Sequence, residues 1–178
     1  MSSDSNQEFF EKYEKVRKEY SENPNSEKVA SEYLKMLWSL ALKQDDEQVL
    51  KDTADKASTV YQKHSESEKV ATAYLRILHN LAKQQDDEQV LKAIADKAST
   101  VYQKHSELVE VATVYLWILY DLASKQYDEQ GLKYIADKAS TVYEKHSELE
   151  RVSVSYLGIL WRLSSKLDNE KSLKNIAD

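Results

Sequence analysis

The sequence predicts an all-α fold, an α-α superhelix (solenoid) of stacked antiparallel helix pairs, on three observations. The stretch from Lys51 to Tyr61, Lys-Asp-Thr-Ala-Asp-Lys-Ala-Ser-Thr-Val-Tyr, returns in close copy 41 residues later from Lys92 to Tyr102 and again from Lys133 to Tyr143. A period of this length marks one supersecondary unit stacked on copies of itself. Apolar residues recur within each copy at spacings of three and four, the stripe of a helix packed on one side. Finally, the 178 residues include only 2 glycines and 1 proline, so little interrupts a helix except the junctions between copies.

The elements follow in order. Residues 5–22 read as an N-terminal capping helix, because Phe9, Tyr13, Val16 and Tyr20 stand one period before Leu50, Ala54, Ala57 and Tyr61. Four repeats follow, at 26–64, 67–105, 108–146 and 149–178, each a first helix A and a second helix B. In the second repeat, helix A runs from about Ser67 to Gln84, with Val70, Ala71, Tyr74, Leu75, Leu78 and Leu81 as its core stripe. Helix B runs from about Asp87 to Lys104, and the narrower stripe Leu91, Ala95, Ala98, Tyr102 lets neighbouring helices approach closely. Asp45 with Gln48, and Asp86 with Gln89, fit an N-cap and its partner at the start of helix B. The last repeat is expected to carry a truncated second helix that stops at Asp178.

Composition limits the function classes. With 0 cysteines, disulfides, thiolate zinc sites and thiol nucleophiles are excluded. Met1 is followed by Ser-Ser-Asp-Ser-Asn-Gln rather than a basic and then apolar leader, and no apolar run approaches a membrane span, so a cytoplasmic protein with no membrane partner is expected. The net charge of −6 opposes attraction to phosphate backbones and argues against a nucleic-acid partner.

The paired helices, the junction Asn23-Pro24-Asn25-Ser26-Glu27, and Ala30, Tyr33, Leu34 and Leu37 at relative spacings of 0, 3, 4 and 7 resemble a tetratricopeptide-type repeat in an enlarged 41-residue form. The chain departs from that pattern where Leu34, Leu75, Leu116 and Leu157 replace a small residue, and the junction proline survives only as Pro24. The resemblance implies a right-handed superhelix whose A helices line a concave groove that binds peptides or proteins.

Comparing the repeats locates a candidate site. At 100° per residue, the A-helix positions facing away from the core hold Glu32, Ala73, Val114 and Ser155; Lys35, Arg76, Trp117 and Gly158; and Ser39, Asn80, Asp121 and Arg162, with nothing kept. Exposed positions of helix B instead repeat Asp55, Asp96, Asp137; Lys56, Lys97, Lys138; and Thr59, Thr100, Thr141. Since exposed substitutions shift stability by only about ±0.5 kcal/mol, change confined to one face suggests selection on that face. The candidate partner-binding residues are Trp117, Tyr120, Asp121, Tyr127, Tyr134, Trp161, Arg162, Arg76, His79 and Asn80. Aromatics with mixed polar neighbours are the chemistry of interface hot spots. Tyr127 in the place of a capping aspartate, and Gly131 and Gly158 inside helices, sacrifice local stability beside these aromatics. The competing reading is structural: Trp38, His79, Tyr120 and Trp161 share one position and can instead fill the seam between adjacent A helices.

His64, His105 and His146 recur near the C-terminus of helix B, where an imidazole can bond the last carbonyls. A metal ladder is disfavoured, because packed helices stand about 8 to 10 Å apart and zinc ligands bind at about 2 Å. The acidic clusters at 45–47 and 86–88 are explained as caps, and no catalytic constellation or cofactor is assigned. The expectation is a non-catalytic protein- or peptide-binding scaffold, natural or engineered by diversifying one face. The alternatives are a solenoid that self-associates end to end, as a weak homo-oligomer through the apolar surface that an incomplete last helix exposes at the C-terminal end, and, against the acidic balance, an RNA-reading helical repeat.

Overall fold

The computed structural model describes the backbone of residues 3–43, 46–125 and 129–177, and the side chains in those ranges except for residues 3–6, 47, 129 and 167–177. The chain is all-α, a helical repeat in which neighbouring helices pack again and again. Among the described residues the elements are α1 (Ser3–Glu22), α2 (Glu27–Ala41), α3 (Glu47–Lys63), α4 (Glu68–Gln84), α5 (Glu88–Lys104), α6 (Val109–Lys125), α7 (Glu129–His146) and α8 (Glu150–Ala177), with no strand. Two compact units divide the chain, Met1–Leu81 and Ala82–Asp178.

In the first unit α2 packs on α1 and α3. Its apolar spacing buries Ala30, Leu34 and Leu37 completely, and Val70, Ala71, Leu75 and Leu78 of α4 are equally closed off. Tyr20 stacks on Tyr33 with ring centroids 5.0 Å apart, and Tyr61 stacks on Tyr74 at 5.1 Å, so a tyrosine at the end of one helix seats the start of the next. In the second unit the same device joins Tyr102 to Tyr115 at 5.1 Å and Tyr143 to Tyr156 at 4.5 Å. Burial pushes the Tyr115 hydroxyl up to about 12.

Hydrogen bonds close the junctions at the same period. His64 ends α3, and its Nε2 lies 2.9 Å from the Pro24 carbonyl; His146 ends α7, and its Nε2 lies 2.7 Å from the Ser106 carbonyl. These two imidazoles thus bond the interhelix junction some forty residues upstream, while the His64 backbone N–H serves the last carbonyls of its own helix, Val60 and Tyr61. Thr59, Thr100 and Thr141 each donate to the carbonyl of the aspartate four residues earlier, at 3.0 to 3.1 Å. Part of the repeated B-helix face is therefore used within the fold.

Three expectations are corrected. The N-cap of α3 is Asp46, whose carboxylate accepts from the Gln48 and Val49 N–H groups at 2.9 and 3.1 Å, and that of α5 is Asp87, which accepts from Val90 N–H at 3.0 Å. Asp86 instead pairs with Lys125 at 3.2 Å, and Asp45 lies outside the described residues. One period after Asp87 stands Asp128, and the expectation that Tyr127 takes the place of a cap lies outside the described residues. In the last repeat, α8 runs unbroken from Glu150 to Ala177 where a turn and a short second helix are expected. The first row of variable A-helix positions is not an outward face throughout, since Ala73 and Val114 are buried.

Candidate ligand-binding surface

In the second unit, α6 is enclosed by α5, α7 and α8. Its 17 residues include a single exposed one, Trp117, at 43 %. The enclosure follows from composition, because this A helix carries Val111, Ala112, Val114, Leu116, Ile118, Leu119, Leu122 and Ala123, all buried, on several faces at once. A tryptophan left at the one opening of such a helix is an apolar surface held rigidly from below. Tyr120 and Asp121, one turn further on, are half-buried beside it.

The Tyr120 hydroxyl accepts hydrogen bonds from Arg162 Nε at 3.1 Å and Nη2 at 2.9 Å, and the guanidinium lies 5.0 Å from the ring centroid. Gly158 of α8 sits against the same ring, with 3.4 Å between a Cβ built there and Tyr120 Cε2. Tyr120 and Arg162 are consequently a packed seam between α6 and α8. In the first unit Trp38 is treated likewise, half-buried with the Arg76 guanidinium 5.2 Å from its ring centroid. The structural reading of this position holds for both residues. Trp161 is different, being 65 % exposed.

Tyr134 belongs to another place. Its hydroxyl donates to Asp96 Oδ1 at 2.8 Å, tying α7 to α5, and Lys138 Nζ stands 5.5 Å from its ring centroid. Burial first, and then the hydrogen bond with Asp96, raise its pKa well above the usual phenol range. Tyr134 lines a cleft of about 400 Å³ with Glu88, Leu91, Lys92, Leu122, Gln130, Gly131 and Ile135. Trp117 is not among the residues that line that cleft. Of the remaining candidates, His79 is half-buried, Asn80 is buried and unavailable to a ligand, and Tyr127 lies outside the described residues.

Sequence reasoning named Trp161 and an apolar C-terminal end but not the residues of α8 that accompany it, Val154 at 63 %, Leu157 at 62 % and Leu160 at 38 %. One signal was available: Val154 stands where the earlier copies have Ser31, Thr72 and Thr113. No protein-family model matches the chain, and no curated protein matches it in sequence.

Proposed function

We propose that the chain is a non-catalytic protein- or peptide-binding scaffold that takes its ligand against Trp117 of α6. The observation that carries this reading is the exposure of that one side chain on a helix otherwise covered along its length. A tryptophan fixed by a packed backbone loses little entropy on binding and offers a large apolar face. Tyr120, held by Arg162, forms a firm polar shoulder next to it, which suits an extended peptide or a partner side chain better than a small metabolite. The cleft beside Tyr134, with one acidic and one basic wall residue in Glu88 and Lys92, is a second place for a ligand side chain. The tetratricopeptide-type resemblance supports the A helices as the ligand-facing elements. Neither nucleic acid nor membrane is a proposed partner: the net charge is −6, and no helix among the described residues is long and apolar enough to cross a membrane. A cytoplasmic setting is part of the proposal.

The test compares capture of partners from cell extract by the immobilised chain and by its Trp117→Ala variant. Capture should be lost while helical content and melting temperature stay unchanged. A fall in melting temperature would assign Trp117 to the core, and unaltered capture would move the ligand to another surface.

A further inference from the structure

We infer that the outward face of α8 is a self-association surface on which a second copy of this chain docks its own α8 about a two-fold axis, the helices antiparallel. Register supplies the first support. Thr113, Leu116, Leu119 and Tyr120 of α6 stand one period before Val154, Leu157, Leu160 and Trp161 of α8. The first three are at most 3 % exposed and Tyr120 is half-buried, and α6 packs directly on α8. In α8 the same four positions are exposed, and the face has become more apolar, with Val154 for threonine and Trp161 for tyrosine. Val154, Leu157 and Trp161 fall at spacings of three and four, so they form one stripe on one side of the helix. Four large apolar side chains together on a helix otherwise rich in serine are not the scattered exposure of an ordinary surface.

The chemistry of the other end of the repeat chooses the occupant. Within the second unit, α8 meets α6 through Arg151, which pairs with Glu110 at 3.7 Å, through Gly158, and through Arg162. The register equivalents of these three on α2 are Lys28, Lys35 and Ser39, two exposed lysines and a half-buried serine, with Glu32 among them. Head-to-tail stacking of a second copy would lay two lysines against an apolar stripe and bring Lys28 to Arg151, burying like charge. The α8 face itself is the apolar surface that matches it. An antiparallel pairing centred beside Leu157 sets Val154 against Trp161 of the second copy and Arg151 against its Ser164, so no like charges face each other. A parallel pairing would set Arg151 on Arg151 and Glu150 on Glu150. The association therefore closes at two copies and does not propagate into a filament.

The full-length chain and its variants test this by sedimentation over a wide concentration range. A monomer–dimer equilibrium is expected, and it tightens as salt rises, because each copy carries −6 and the contact is apolar. Leu157→Lys should weaken the dimer about tenfold or more, with circular dichroism unchanged since the side chain is exposed. The chain has 0 cysteines, so Leu157→Cys reports proximity to the axis directly: oxidation should give a covalent dimer, and Lys35→Cys should give none. A strict monomer at high concentration, dimers indifferent to Leu157→Lys, or growth to larger species cross-linked between positions 157 and 35 would each overturn the inference. Trp117→Ala should leave the dimer intact, so this test fails or succeeds apart from that of ligand binding.

Discussion

Helices α6 and α8 occupy the same place in consecutive repeats of the second unit, yet one is closed on almost every side and the other leaves an apolar stripe in water. Leu116 is fully buried, while Leu157, its counterpart one period later, is 62 % exposed. The residue type is identical and both sit in unbroken helix. What differs is the presence of a further helix against that face: α8 covers α6, and no described residue covers α8 in the same manner. The burial of a repeat position is set by its neighbour as much as by its own side chain, which is the nearest-neighbour logic of stacked repeats.

Truncation separates the two helices most strongly. Leu116→Ala should cost about 2 to 5 kcal/mol through lost transfer energy and the cavity left behind, whereas Leu157→Ala should stay within about 0.5 kcal/mol in dilute, monomeric protein. Urea denaturation of both variants measures this, and equal losses would remove the comparison. Alkali acts on the enclosed side as well. The Tyr115 pKa is raised to about 12 from 10.0, so the folded state holds its proton more tightly than the unfolded one. Stability from this group is complete below the unfolded value and is lost as pH rises through the interval up to about 12. Thermal melts across that range should show falling stability together with cooperative tyrosinate absorbance; ionisation of all tyrosines near 10 without unfolding would contradict the packing.

Smaller effects test the seams. Tyr134→Phe removes the hydroxyl that donates to Asp96 and should cost about 1 kcal/mol, read by denaturation, with no change in helical content. Gly158→Ala should stabilise by about 0.5 to 1 kcal/mol, because alanine is the better helix former and the new Cβ would reach the Tyr120 ring at van der Waals distance, 3.4 Å. A destabilised Gly158→Ala would show instead that the Tyr120 ring leaves no room for the added methyl group.

The core stripes were legible in the sequence: Val70, Tyr74, Leu75 and Leu78 lie where their spacing put them, as do Leu91, Ala95, Ala98 and Tyr102. The candidate site was less legible. A helical wheel has two sides, core and water, but an A helix here meets A and B neighbours together, so Val114 and Asn80 are buried at angles that the wheel assigns to solvent. The capping aspartates were displaced by one residue, because adjacent Asp45-Asp46 and Asp86-Asp87 pairs offer two similar carboxylates and only backbone geometry selects between them. Tyr134 was legible only as an aromatic among the variable positions; its hydrogen bond to Asp96, 38 residues upstream, depends on how α7 lies against α5.

The sequence by itself determined the period, the all-helical class, the faces that make the core and the tyrosines that recur at the junctions, because each of these depends on interactions a few residues apart or on copying of one unit. Tertiary structure alone decided that Trp117 is the single opening on α6, that Tyr120 is committed to Arg162, and that the stripe from Val154 to Trp161 lies bare. Those outcomes depend on which helix lies against which, and solvent exposure is a property of that neighbourhood rather than of any residue in it.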